Sequence, residues 1–253
     1  MTRVAVIVLL ALAATARAEP DDLVTRPIVL ASGQLEAALS AEVDIAASEV
    51  AHPLSLAPDA WYGVTDRLTI GVVDSHASLD RFDPGASLCF HPLVLACDRL
   101  YSGSGVDARW LAIDGPLSIA PRARFLVRDD DPWKPALTVG ALARWTRGRF
   151  EISGDPYLQL GFANTQLGNR AELFLPVAFG VQPAAHWLLQ VRTGYDSELH
   201  VWRDGYHIDA WLGATLAATA HLDIGAAVGF ASILGPLASA KERQLFLTID
   251  WRS

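Results

Sequence analysis

The stretch from Leu54 to Val73, LSLAPDAWYGVTDRLTIGVV, constrains the fold more than any other. Leu54, Leu56, Ala60, Tyr62 and Val64 share one parity, and Ser55, Asp59 and Gly63 the other. After Thr65-Asp66-Arg67 the pattern restarts, with Leu68, Ile70 and Val72 opposed to Arg67, Thr69 and Gly71. Side chains on a strand point alternately to two faces. The stretch therefore reads as a hairpin with one apolar and one polar face. A single such hairpin is marginal in water, so the chain must repeat it.

It does. Similar alternation spans 35–45, 106–113, 118–128, 137–145, 150–153, 173–182, 187–196, 208–219, 224–233 and 244–251. Short turns fall at Thr65–Arg67, Asp114–Pro116, Arg147–Gly148, Pro183–His186 and His221–Asp223. The other connections are mostly longer, including Asn164–Asn169, the loop Asp129-Asp130-Asp131-Pro132 and the long irregular stretch Ser75–Gly105. Asp155-Pro156 marks a bulge. Tight turns on one side, longer loops on the other and strands of about 10 residues are the signature of a transmembrane β-barrel. The expected fold is all-β: a single transmembrane antiparallel barrel of about 12 strands, with both termini in the periplasm. Trp61, Tyr62, Trp110, Trp145, Trp187, Trp211 and Trp251 lie near strand ends, where aromatic girdles belong. The competing fold is a secreted soluble sandwich. It is disfavoured because the aliphatic faces carry no charge along their centres, and because mean hydropathy is +0.26. A helical span at 212–238 is disfavoured by His221 and Asp223 at its centre.

Residues 1–18 have the form of a secretory signal: Arg3, an apolar run from Val4 to Ala14, then Ala16-Arg17-Ala18. Residues 19–34 are expected to be a periplasmic lead, and residues 35–253 the barrel. Cleavage after Ala18 removes Arg3 and Arg17 from 20 basic residues and none of the 28 acidic ones, which leaves 18 against 28, a net charge of −10. Such a chain has no electrostatic reason to bind nucleic acid. The expected location is the outer membrane of a Gram-negative cell, in contact with its lipid.

Two cysteines, Cys89 and Cys97, sit in the long irregular stretch. In an oxidising compartment they are expected to form a disulfide. A metal site there would have only His91 nearby, a poor zinc set. The seven histidines fall in loops or turns. The arrangement closest to a nucleophile and base is Ser197-x-x-His200, in an external loop. No phosphate loop, metal triad or nucleophile elbow appears, and no cofactor is expected. Asp129-Asp130-Asp131 is read as a loop cap, with a divalent cation as the alternative. A lipid- or lipopolysaccharide-modifying enzyme is the functional runner-up, and a structural barrel with a plugged lumen the third reading.

The polar parity carries the more specific expectation. Arg109, Arg122, Arg124, Arg128 and Arg144 fall on neighbouring strands. Glu36, Glu42, Asp44, Asp59 and Asp250 fall on the first, second and last. In a closed barrel these groups line opposite walls of the lumen. Two outcomes stand side by side: a transverse field across a narrow pore that orients small polar solutes, or a salt-bridge network that fills the lumen.

The chain also resembles the Gram-negative outer-membrane barrels of transporter or channel type, and among them barrels of phenol-degradation operons. Arg26-Pro27…Gly33-x-Leu35-Glu36 and Ala57-Pro58…Tyr62-Gly63-Val64-Thr65-Asp66-Arg67-Leu68-Thr69-Ile70-Gly71 carry the resemblance, over roughly a fifth of the chain. It implies a porin-like function and assembly by the barrel-assembly machinery. Such barrels end on an aromatic residue that this machinery reads; here Arg252-Ser253 follows Trp251.

Overall fold

Period-two alternation has one outcome in this chain, a sheet that closes on itself. The computed structural model describes residues 23–45, 54–74, 88–89, 104–130, 132–236, 238 and 243–253. The strands are β1 (Leu35–Asp44), β2 (Leu54–Thr65), β3 (Leu68–Val73), β4 (Leu88–Cys89), β5 (Ser104–Trp110), β6 (Leu117–Asp130) and β7 (Trp133–Arg147). They continue as β8 (Phe150–Gly154), β9 (Tyr157–Gly161), β10 (Glu172–Ala184), β11 (Trp187–Glu198), β12 (Tyr206–Ala217), β13 (Leu222–Leu234) and β14 (Arg243–Arg252).

Each strand pairs antiparallel with its neighbours, and β1 pairs with both β2 and β14. That last pairing closes the barrel. β3 and β4 both pair with β2, and β8 and β9 both lie between β7 and β10. Each of these two pairs forms one stave, so the described strands make twelve staves. The break between β8 and β9 falls at Asp155-Pro156, as expected. Proline has no N–H to give the ladder, and the Pro156 carbonyl still accepts from the Ala141 N–H at 3.2 Å. Closure leaves no unpaired strand edge, which the hydrocarbon core requires.

Two strand ends differ from expectation. Residues 129 and 130 belong to β6, not to a loop: Asp130 pairs with Trp133 and closes a tight hairpin. β5 stops at Trp110, and Ile113 only bridges to Ile119.

One parity of the staves is exposed and apolar, including Leu39, Ile70, Val106, Phe125, Leu175, Phe179, Val191, Leu212, Val228 and Ile249. This is the lipid-facing belt. Trp110, Trp145, Phe150, Trp187 and Trp251 ring its short-turn end, and Trp133, Phe162 and Trp202 its long-loop end. Trp61 and Trp211 are not girdle residues. They are 6% and 3% exposed and point inward. Each indole lies over a glycine directly across the strand pair, Trp61 over Gly71 and Trp211 over Gly229. A Cβ on Gly71 would sit 2.2 Å from Trp61 Cδ1. Only a glycine leaves room for the ring.

The cysteine pairing lies outside the description. Cys89 pairs in β4 with Ser55, and Cys97 is not among the described residues. The signal segment is likewise outside them.

Candidate functional site: the barrel lumen

The inward parity is where the charges collect. β5 and β6 place Asp107, Arg109, Arg122 and Arg124 side by side, because Asp107 pairs with Arg124 and Arg109 with Arg122 across the two strands. Asp107 is the hub. Its carboxylate lies 2.6 Å from Arg109 Nε, 3.3 Å from Arg124 Nε and 3.7 Å from Arg122 Nε. Arg122 also pairs with Asp155, which the β8–β9 break turns inward. Arg122, Arg124, Asp107 and Asp155 are each at most 3% exposed. The Arg109 guanidinium stacks 4.8 Å above the Trp61 ring, and Arg122 lies 5.3 Å from the Tyr157 ring. Arg144 faces Glu151 at 3.6 Å, and Arg128 reaches Glu172 at 3.1 Å.

The wall beside it, from β14 through β1 to β2, is acidic. Glu36, Asp59 and Asp250 are buried, and Glu42 is half-buried. Asp59 accepts the Asp74 N–H at 2.7 Å, and Glu42 accepts from Gln244 Nε2 at 2.6 Å. Arg252 is 2.9 Å from Glu36 and 3.9 Å from Asp250. Asp44 pairs by backbone with Gln244, and its side chain is outside the description. The basic wall holds five arginines against Asp107, Glu151, Asp155 and Glu172, a net of +1. Glu36, Glu42, Asp59 and Asp250 against Arg252 give −3. Only β3 separates the two groups, and Arg109 and Arg144 line one small cavity with Glu36, Asp59 and Asp250; each group is partly neutralised by partners on its own side. Arg67, expected on the polar face of its strand, is exposed in the β2–β3 turn.

Several lumen residues were not singled out from the sequence: Arg26, Glu151, Asp155, Glu172, Arg192, Asp209, Asp223 and Arg252. Parity could have found Glu151, Arg192 and Asp209, which share the polar face of their strands. Asp155, at a bulge, and Asp223, beside a turn, had no readable parity.

Residues expected to lead in from the periplasm lie inside the barrel. Leu23, Val24, Ile28, Val29 and Leu30 are each at most 6% exposed. The chain enters beside the β2–β3 turn, where Gly33 N–H donates to the Gly63 carbonyl at 2.8 Å and Ser32 N–H to Asp66 Oδ1 at 3.0 Å. Leu30 then packs with Trp61, Val73 and Leu126. Ile28 and Val29 pack with Leu111, Ala120 and Leu142. Leu23 and Val24 reach Leu188 and Ala217 on β11 and β12. The segment thus crosses the short-turn end of the lumen from β2–β3 to the far wall. Side chains hold its backbone. Thr69 Oγ1 accepts from Leu30 N–H at 2.8 Å, Gln182 Oε1 from Val24 N–H at 3.2 Å, and Arg144 donates to the Arg26 carbonyl. Arg26 itself pairs with Asp223.

Two cavities of about 50 Å³ flank this segment. One lies toward Glu36, Asp59, Asp250 and Arg109, the other toward Glu151, Gln190 and Asp223, and Pro27, Arg144 and Arg252 line both. Each has room for a water or two. Burying five aliphatic side chains contributes about 7–15 kcal/mol at about 1.5–3 kcal/mol each. Ordering eight residues costs about 8–16 kcal/mol at about 1–2 kcal/mol each. The two are of the same size, so the docked segment is held by a small balance.

Nucleophile geometry is sparse. Ser197 Oγ donates to the Glu198 carbonyl at 3.2 Å, whereas His200 contacts Glu198 and Arg170. The loop pair expected from the sequence is not brought together. His207 Nδ1 does lie 3.2 Å from Ser232 Oγ. Ser232 is 3% exposed, so an acyl carbon cannot approach its oxygen without displacing the wall.

A closed barrel, apolar outside and charged inside, is the architecture of an outer-membrane β-barrel protein. Solved structures of that kind share the fold. The chain superposes on "KdgM porin in complex with disordered oligogalacturonate" with a TM-score of 0.56 at 7% identity, covering 85% of this chain and 98% of that one. It matches a NanC porin with a TM-score of 0.57 at 6% identity, over 86% and 98% of the two chains. It matches the COG4313 outer-membrane channel from Pseudomonas putida F1 with a TM-score of 0.55 at 10% identity, over 89% and 97%. At these identities the likeness is one of fold. No protein-family model and no curated protein matches the sequence.

Proposed function

We propose that the protein is a passive outer-membrane channel for small polar solutes. The observation that carries this reading is the division of the barrel wall into an apolar exterior and an interior of buried charges of both signs. Burying a charge is costly unless it is paired, and an inert barrel could fill its interior with apolar side chains. Water-sized cavities between the charged walls supply the start of an aqueous path. A net-positive side carrying Arg109, Arg122, Arg124, Arg128 and Arg144 stands against a net-negative side carrying Glu36, Glu42, Asp59 and Asp250. Their field orients dipolar and zwitterionic solutes across the pore. The fold shared with a porin crystallised with oligogalacturonate supports a polar, oxygen-rich solute. An affiliation with phenol-degradation-operon barrels, resting on the first hairpin, belongs to this proposal, as do insertion by the barrel-assembly machinery and a Cys89–Cys97 disulfide.

Liposome swelling tests it. Vesicles holding the purified protein should swell in zwitterionic amino acids and small sugars faster than protein-free vesicles. The double variant Arg122→Ala with Arg124→Ala should change the ranking of charged solutes. Swelling no faster than protein-free vesicles by the full-length chain, by the variant and by the chain lacking residues 23–30 would defeat the reading.

A further inference from the structure

We infer that the periplasmic half of the lumen is a peptide-binding surface whose occupant is the chain's own segment Leu23–Leu30, and that this segment is a removable plug. The inference rests on the channel reading above and adds how the channel is closed.

Four features converge. First, the segment spans the lumen. Its two ends pack on opposite sides, Leu30 against Trp61, Val73 and Leu126 and Leu23 against Leu188 and Ala217. Second, it is not part of the wall. No residue from 23 to 34 lies in a strand, and the bonds that seat it come from the side chains of Thr69, Arg144, Gln182 and Asp223. Water can take over each of those polar partners, which it cannot do for a strand in lipid. Third, the segment has a fixed root and a pivot. Ser32 and Gly33 are tied to the β2–β3 turn, and Gly33 has φ +84° with open space where a Cβ would stand. A left-handed glycine at the root lets the backbone swing while the anchor holds. Fourth, the two cavities lie on either side of the segment and share Pro27, Arg144 and Arg252 in their linings. Withdrawing the segment joins them into one passage.

The docking surface is specific for what occupies it. Val73, Leu111, Leu126, Leu142 and Leu188 interrupt an otherwise polar parity and stand where the segment's aliphatic side chains land. Asp223 meets the segment's one cation, Arg26. When the segment leaves, Asp223 and Arg144 lose these partners and face the passage.

The test is planar-bilayer recording of the full-length chain and three variants, in a Cys89→Ser, Cys97→Ser background. Deleting residues 23–30 should raise single-channel conductance several-fold. A synthetic peptide of residues 23–33, added to the short-turn side, should block the deleted channel reversibly. Folding of each variant is checked by its heat-dependent shift on gels. Because the deletion could hinder assembly, Ile28→Asp serves as a second opener that leaves the length intact. Ile28→Cys with Ala120→Cys should lock the plug in oxidant and release it in reductant. The proposal is overturned if the full-length chain conducts and the deleted or Ile28→Asp channel has the same conductance. It is also overturned if oxidising the locked pair leaves openings unchanged. If neither full-length nor plug-free chain conducts, the channel reading itself fails and takes this inference with it.

Discussion

Asp107 is one carboxylate among three guanidiniums, and replacing it should expose how much the lumen depends on it. Asp107→Asn keeps the shape of the side chain and removes its charge. Arg109, at 2.6 Å, Arg124, at 3.3 Å, and Arg122, at 3.7 Å, each lose this carboxylate. Asp155 remains as the other carboxylate beside Arg122. Removing one partner of a buried ion pair costs about 3–5 kcal/mol, because the charge left behind has no water to stabilise it. Burial of Asp107, Arg122 and Arg124 puts this cluster in that regime. We expect a loss near 3 kcal/mol in urea unfolding of the protein in lipid vesicles. Adding Arg124→Gln should recover part of it, since one stranded cation goes with the anion; contacts this close do not add independently. The same variant raises the charge of the basic wall by one, so the channel should shift toward anions. A loss under about 1 kcal/mol, the range of solvent-exposed pairs, would refute the claim that these charges are buried in the barrel interior.

Other substitutions probe other parts of the account. Gly71→Ala places a methyl against the Trp61 ring and the Ala60 carbonyl; it should destabilise by about 1–3 kcal/mol, and Trp61→Ala should relieve part of that in the double variant. Arg252→Ala removes the Glu36 contact across the β1–β14 seam; unfolding should show a loss of about 1–2 kcal/mol, with slower closure in folding kinetics. Leu212→Arg, at an exposed mid-strand position of β12, should cost about 2–4 kcal/mol of insertion free energy, read as a lower folded fraction in vesicles, while Leu212→Ile should be near neutral.

Much of the barrel could be read before any coordinates, because a strand's two faces are fixed by parity alone. The alternation around Leu54–Val73 and its repeats gave twelve staves, the short-turn end and the exposed apolar belt. What escaped did so for identifiable reasons. Trp61 and Trp211 stand near strand ends, where a girdle is expected, yet each shares parity with an inward aspartate, Asp59 and Asp209. Parity was the better guide, and the glycines opposite them explain how the rings fit. Asp155 and Asp223 sit where regular pairing stops, so no pattern announced their direction. The segment from Leu23 to Leu30 is too short to have a period. Its trace lay elsewhere, in Val73, Leu126, Leu142 and Leu188, aliphatic residues on faces otherwise polar. An apolar residue aimed into a lumen asks for an apolar partner, and the chain supplies one from its own beginning. The basic and acidic residues were legible as two clusters, but neither their closeness across β3 nor their partial neutralisation was, because these depend on barrel closure and on Glu151, Asp155 and Arg252 reaching across strands.

The central claim is that this barrel carries polar solutes through a lumen bounded by walls of opposite net charge. Reversal potentials measured in planar bilayers under a salt gradient test it most directly. The account predicts discrete conductance steps whose ion preference moves toward cations in Arg109→Ala and toward anions in Asp59→Asn. Conductance with the same reversal potential in all three proteins, or no steps from any of them with the segment removed, would contradict it.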